Sequence, residues 1–566
     1  MSGWLTDLLS KERTIAPPGF NRWKVPPASV AIHLCLGSVY AWSLFNPPLT
    51  RVLGVVGSAA DDWSLSAVVW IFSVAIVFLG CSAAFAGRWL EQVGPRMVGT
   101  VSTICWSSGF LLSALGAAWH QLWLLYLGYG VIGGCGLGLG YVSPVSTLIR
   151  WFPDRRGMAA GIAIMGFGGG AMVGTPLKET LLRTFFVAPD YLGAVETVDL
   201  ETREGRRYAL VDGSPRQVIV LSEAEAKQLP VVCQSGVYVV GTGRTGIVQT
   251  FLVLGALYFV VMIVAAFSYR IPAPGWQPAG WTAPSEADAR KKMINMRHVE
   301  LNRALRTPQF YLLWIVLCFN VTAGIGVLGV AKTMVTEIFG SSLPTIVAGS
   351  FAATYVMMTS VFNMVGRFFW ASVSDVLGRK STYTICFVAG IVMYLMIPVT
   401  AYQGSLHPSV VWLIIFYVVT MLIFTMYGGG FAIIPAYLAD LFGTRYVGGI
   451  HGRLLTAWST AGVLGPVAIS MLRDYELRRS MAELANRVDP AAFEAKFGAP
   501  VSQLNELLSA KTVTLAKLME IAPSGTINPA CTVYNSTMIL MAGLLGIALL
   551  ANLCIRPVDS SHLQDE

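Results

Sequence analysis

In the stretch "NMVGRFFWASVSDVLGRK" (363–380) a single arginine, Arg367, stands among Val, Phe, Met and Trp, eight residues before Asp375. A cation inside an apolar run that crosses a bilayer costs about 2.5–3.5 kcal/mol on insertion scales, so such a group faces a cavity or a partner. Asn363, one turn earlier, shares its helix face. Arg367 therefore either lines a polar central cavity or snorkels back to pair with Asp375. Glu91, in "GRWLEQVGPR" (87–96), and Asp375, in "ASVSDVLGRK" (371–380), occupy the same pattern, small-x-x-x-acid-x-x-Gly-x-basic. A carboxylate beside the N-terminus of a neighbouring helix gains about 0.3–1 kcal/mol from the helix dipole. Arg96, Arg379 and Lys380 can bridge to other loop groups. Gly87, Glu91, Gly94, Arg96, Asp375, Gly378, Arg379 and Lys380 are thus candidate gating residues; the alternative is a pair of solvated turns. His33 and His451 can titrate near neutrality, yet a lone histidine is more often just hydrogen-bonded, and neither is read as a proton carrier. Lys332 is read as snorkelling or pairing with Glu337 rather than as a second anion contact.

The elements that must position these groups follow from composition. The chain has 566 residues, 55% hydrophobic and 12% charged, with mean hydropathy +0.62, against about 25% charged in soluble chains. This is the composition of a membrane protein. The net charge of +8 sits mostly in short connections between apolar runs, where membrane topology explains it, and no nucleic-acid partner is expected. Runs long enough to cross about 30 Å of hydrocarbon fall near 27–50, 64–86, 97–118, 121–147, 158–181, 247–269, 309–335, 345–370, 381–401, 409–438, 450–472 and 532–555. Alternate connections carry the Lys and Arg, whereas "EIFGSSLPT" and "AYQGSLHPS" carry none, which predicts both termini in the cytoplasm. No cleaved signal peptide is expected ahead of the first run.

The expected organisation is a cytoplasmic N-terminus (1–24), spans one to five (25–181), an extracytoplasmic strand-rich insertion (182–246), span six (247–269), a cytoplasmic linker (270–308), spans seven to eleven (309–472), an extracytoplasmic helical insertion (473–531), span twelve (532–555) and a cytoplasmic tail (556–566). The two acid motifs recur 284 residues apart. "GLGLGYVSPVSTLIRWFPDRRG" (136–157) faces "GGGFAIIPAYLADLFGTRYVGG" (428–449), with Pro144 opposite Pro435, 291 residues apart. Two six-helix halves in parallel repeat belong to one large class of secondary transporters. The repeated acid-x-x-Gly-basic loop resembles the signature of the major facilitator superfamily. "GSVYAWSLFNPPL" (37–49), "RWFPDRRGMAAGIAIMGFGGGAMVGTP" (150–176) and "LLTAWSTAGVLGP" (454–466) resemble the oxalate/formate antiporter family, itself similar to the monocarboxylate transporters. The implied fold is all-α, twelve transmembrane helices in two six-helix parallel repeats with two extracytoplasmic insertions.

That resemblance implies that Arg367, at the matching Gly-Arg position of the eighth span, binds a substrate carboxylate; a planar guanidinium does so through two parallel hydrogen bonds. It also implies that Tyr40, Trp42, Tyr141, Tyr427 and Trp458 line the path with Asn363; ordinary packing is the rival account of each aromatic. The chain departs from both families. Oxalate exchangers pair the arginine with a lysine on the eleventh span, absent here from Leu454 to Leu472, and monocarboxylate transporters carry an acid where this chain has Asn363. One cation suits a monocarboxylate such as formate, pyruvate or lactate, moved by alternating access in the bacterial inner membrane, with the coupling to a proton or counter-anion left open and a monomeric state expected. The alternatives are an oxalate/formate-type dicarboxylate antiporter and a non-transporting sensor or scaffold.

Seven of the nine cysteines lie in apolar spans. Cys233 and Cys531 fall one in each insertion, making them a candidate disulfide joining the two caps. The glycine clusters around 133–140, 166–170 and 428–430 read as close helix approach. "GFGGG" lacks the strand before it and the Lys-Ser/Thr after it that a phosphate loop needs. No HExxH, CxxC or nucleophile-elbow pattern stands in a credible context, so no enzyme, metal site or cofactor is expected.

Overall fold

The computed structural model describes residues 7–203, 206–221, 233–282, 293–295, 297–347, 349–497, 500–505 and 515–562. A backbone in hydrocarbon must satisfy its own polar groups, and the apolar runs do so as long helices. The first half holds α1 (Pro26–Gly37, continued by a 3-10 stretch Ser38–Phe45 and a last turn Asn46–Leu49), α2 (Leu65–Val93), α3 (Pro95–Ala118), α4, α5 (Arg156–Phe185) and α6 (Ile247–Ser268). α4 runs from Leu122 through a π-helical segment Tyr126–Gly133 into Gly134–Trp151. The second half holds α7 (Pro308–Phe339), α8 (Gly349–Leu377), α9 (Arg379–Leu406), α10 (Val410–Phe442), α11 (Val447–Leu454, then Thr456–Ala485) and α12 (Asn535–Cys554).

Among the described residues, eleven helices are long and apolar enough to span a membrane. The remaining one, α8, has 29 residues, about 43 Å of helix. The chain is a multi-pass, all-α membrane protein. Short connections carrying Arg and Lys gather at one end of the bundle, here the basic end; the two insertions lie at the other, the cap end.

The motif helices run further than their hydropathy. α2 reaches Val93 and α8 reaches Leu377, so Glu91 and Asp375 sit on last helical turns rather than in loops. Both helices stop on glycine, Gly94 at φ 86° and ψ 168° and Gly378 at φ 85° and ψ 152°, a region only glycine occupies comfortably. A Cβ on Gly378 would meet nothing within 4 Å, which isolates the backbone effect. Gly378→Ala should destabilise the protein by about 1–3 kcal/mol, read as a lower thermal-unfolding midpoint in detergent; an unchanged midpoint would mean that the turn relaxes.

The first insertion is a five-stranded antiparallel sheet in the order β1-β5-β4-β3-β2: β1 (Tyr191–Gly193), β2 (Glu201–Arg203), β3 (Arg206–Val211), β4 (Ser214–Leu221) and β5 (Gly236–Val239). Its β-branched residues alternate faces, and Leu221 and Tyr238 pack on Val56 just beyond α1. In the second insertion α11 continues to Ala485, and short helices Pro490–Phe497 and Leu515–Met519 close a small core that includes Leu484, Phe493 and Leu518. Arg473 and Tyr534 both bind Glu337, tying α11 and the start of α12 to α7. The side chain of Lys332 lies outside the described residues, and Glu337 takes Arg473 as its cation.

The disulfide expectation is corrected: Cys233 and Cys531 are both free thiols. Each is held in its own half. Cys233 packs with Phe186 and Ile219 beside the sheet, where burial pushes its thiol up and so toward the unreactive protonated form. Cys531 is buried on the turn that leads into α12.

Candidate functional site

Arg367 is fully buried. Its Nε donates to Asn363 Oδ1 at 2.8 Å and its Nη1 to the Ile164 carbonyl of α5 at 3.2 Å, so it bridges the two halves. Asp375 lies elsewhere, engaged at the basic end, which removes the snorkelling account. The guanidinium lies 5.3 Å from the Phe431 ring and 6.0 Å from that of Phe167. Small residues make the room. A Cβ on Gly168 would come 3.1 Å from Arg367 Nε, and one on Gly428 would come 2.3 Å from the Asn363 carbonyl.

Around this cation the two halves contribute aromatics, several with polar atoms that have no hydrogen-bond partner among the described residues. Tyr141 of α4 and Trp458 of α11 stand with ring centroids 5.4 Å apart, and Phe431 lies 4.8 Å from Trp458. Tyr40 packs edge-on against Phe167 at 5.1 Å, with Tyr427 interacting from α10. His33 and His451 flank the Tyr141 ring at 5.2 and 6.0 Å. The buried hydroxyls of Tyr40 and Tyr427 face each other, while the Tyr141 hydroxyl, the Trp458 indole N–H and Arg367 Nη2 are buried without a hydrogen-bond partner among the described residues. Buried polar groups are rarely left so. Phenol and indole donors around one cation, with no carboxylate bound to it among the described residues, are chemistry that suits an anion.

Trp42 is not part of this group. It stacks within the first half, 4.3 Å from Tyr129 and 5.4 Å from Phe45, because α1 changes to a 3-10 winding at Ser38 and turns the residue into the bundle. A second buried cation escaped the sequence reading: Lys178 of α5 donates to the carbonyls of Ser38 at 2.6 Å and Ala41 at 3.3 Å. Those oxygens lie where α1 loses its regular ladder. The signal was available, since the rule that singled out Arg367 applies equally to a lysine in the fifth span.

At the basic end the candidate gating acids act across the halves. Asp375 of α8 accepts the N–H groups of Gly157 at 2.7 Å and Met158 at 2.8 Å, at the start of α5. Glu91 of α2 accepts the Gly449 N–H at 3.1 Å, at the start of α11. Each carboxylate thus caps a helix of the opposite half, combining dipole attraction with charge-assisted hydrogen bonds. Close backbone contact permits it: a Cβ on Gly157 would fall 2.1 Å from the Ala371 carbonyl, and one on Gly87 2.3 Å from that of Gly448.

Arg379 binds Asp375 at 2.7 Å and Asp440 at 2.8 Å, and Asp440 also takes Arg156 of the other half at 2.9 Å. Arg156 and Asp440 were missed as gating residues, although an Asp closing the apolar run of α10 was a signal. Arg96 and Lys380 bridge to other backbone groups, but their hydrogen bonds stay within their own halves. Arg96 donates to the carbonyls of Leu8 and Phe267, and Lys380 to those of Leu553 and Ile555. Each staples the start of the third helix of its half to the end of the sixth.

Two six-helix lobes, a cation buried at their interface and a closure that caps helices across it define an alternating-access membrane carrier. The Major Facilitator Superfamily model matches residues 30–188 and 237–466, breaking only over the sheet, and the chain belongs to that superfamily. It is 25% identical over 448 residues to the oxalate:formate antiporter of Oxalobacter formigenes, covering 79% of this chain and 83% of that one. To apicoplast pyruvate carrier 1 of Toxoplasma gondii it is 23% identical over 469 residues, 75% of this chain and 78% of that one. The transporter FucP in its outward conformation superposes with a TM-score of 0.52 over 94% of this chain and 99% of that one, at 10% identity, a likeness of fold alone.

Proposed function

We propose that this carrier moves a small monocarboxylate, of the size of formate, pyruvate or lactate, through a site centred on Arg367, with the basic end in the cytoplasm and the caps outside the bacterial inner membrane. The observation that carries this reading is a buried arginine that, among the described residues, has one amino group unpartnered and no carboxylate bound to it, with the unpartnered Tyr141 hydroxyl and Trp458 indole N–H around it. One carboxylate fits the two-pronged guanidinium, and the apolar faces of Phe167 and Phe431 suit a short aliphatic remainder.

Charge counting favours a monoanion over a dianion. Lys178 lies 14 residues along α5 from Ile164, about 21 Å of helix, and is committed to the α1 carbonyls. The relative that exchanges oxalate and formate keeps the dicarboxylate reading as the rival. Labelled formate, pyruvate, lactate and oxalate offered to proteoliposomes, with and without internal anion and a pH gradient, decide between them and also identify the coupling. Monocarboxylate uptake weakly inhibited by oxalate is expected; tight oxalate competition overturns the charge class. Trp458→Lys, which places an ammonium in the volume of a buried indole beside the site, should improve oxalate competition relative to formate by about tenfold. No change in that ratio would move the anion away from Trp458.

A further inference from the structure

A cavity of about 600 Å³ opens at the basic end, lined by Lys11, Arg88 and Arg150 of the first half, Arg445 of the second, and the acids Glu91 and Glu300. Four cations face two carboxylates, and one of those, Glu91, is already capping Gly449. Arg88, Arg150 and Arg445 have no carboxylate within ion-pair distance among the described residues, while Arg150 reaches the Arg445 carbonyl at 3.5 Å. The matching place in the repeat is complete. There Asp375 and Asp440 face Arg156 and Arg379, two acids for two cations. With Pro144 set against Pro435 and Gly157 against Gly449, the position of Asp440 falls on Leu148 and Ile149. In the same alignment Arg379 falls on Pro95 and Arg156 on Gly448, so the first latch has neither that acid nor those cations, and the positive charge of the cup comes from Lys11, Arg88, Arg150 and Arg445 instead.

We propose that this cup binds a multivalent phosphate-type anion, which supplies the missing negative charge. The arginines offer planar donor forks suited to phosphate oxygens, and they come from both halves. Opening the basic end would carry Arg445 away from Arg88 and Arg150, so the anion binds the closed form better and by linkage must favour it. The carrier is then slowed from its basic side by an anion that is not its substrate. This consequence rests on alternating access, whereas the binding itself does not depend on what is transported.

Inorganic pyrophosphate titrated into the purified full-length protein tests the site. A saturable rise in the unfolding midpoint is expected. Its apparent affinity should fall about tenfold or more in Arg88→Gln and in Arg445→Gln, one charge-assisted contact each, but not in Lys24→Gln, an exposed lysine that does not line the cup. Ser146, buried against Gly448, serves as a reporter of opening: thiol labelling of Ser146→Cys should fall as pyrophosphate is added. Protein in phosphatidylcholine discs, compared with discs containing phosphatidylglycerol, separates the two sources. Weaker pyrophosphate binding with the anionic lipid assigns the cup to a headgroup, and equal binding assigns it to a soluble anion. No saturable midpoint shift, an equal loss in Lys24→Gln, or unchanged or increased Ser146→Cys labelling would overturn the proposal. If pyrophosphate binds as described while no monocarboxylate is taken up, the transport reading fails and the site stands.

Discussion

Arg367→Gln is expected to lose transport by about thirtyfold or more, since removing the charged partner of a buried carboxylate costs about 2–5 kcal/mol. Arg367→Lys keeps the charge but loses the fork and the parallel second bond, a loss of about tenfold to a hundredfold. The stability result should go the other way. Arg367 is a buried cation whose partners among the described residues are an amide oxygen, a carbonyl and two aromatic rings, with no carboxylate, and an uncompensated buried charge is destabilising. The unfolding midpoint of Arg367→Gln should therefore equal or exceed that of the parent. A structural arginine would show the opposite pattern, with a lowered midpoint and transport reduced only in proportion to surviving protein. Normal uptake by Arg367→Gln would place the substrate elsewhere.

The second large effect is expected at the basic end. Asp375→Asn removes the charge from two helix-capping hydrogen bonds and from the ion pair to Arg379. Glu91→Gln weakens a single longer cap. At about 1.5–3 kcal/mol for a hydrogen bond to a charged group, Asp375→Asn should shift the closed-to-open balance by roughly tenfold to a hundredfold, and Glu91→Gln by less. Labelling of Ser146→Cys should rise in that order and be greatest in the double variant, while the fold persists. Equal labelling in all backgrounds would reduce both acids to ordinary helix caps.

The class of fold was legible because its determinants are local. A run of some twenty apolar residues must be helical in hydrocarbon whatever it later touches, and the acid motifs repeating 284 residues apart mark two equivalent halves. Arg367 was legible for a similar reason, since a charge inside such a run stands out before its neighbours are known. Its orientation was not. Snorkelling and facing the interface use the same sequence, and only the packing of α8 on α5, which brings the Ile164 carbonyl within reach, distinguishes them.

The contacts between halves were decided by tertiary structure throughout. Asp375 meets Gly157 across 218 residues and Glu91 meets Gly449 across 358, whereas Arg96 and Lys380, with the same motif credentials, turn inward to their own halves. Composition placed Cys233 and Cys531 on one side of the membrane, but each packs within a separate half, and proximity is a property of packing. The excess positive charge of the basic cup is of the same kind: it appears only when the two lobes close and bring Lys11, Arg88, Arg150 and Arg445 around two acids.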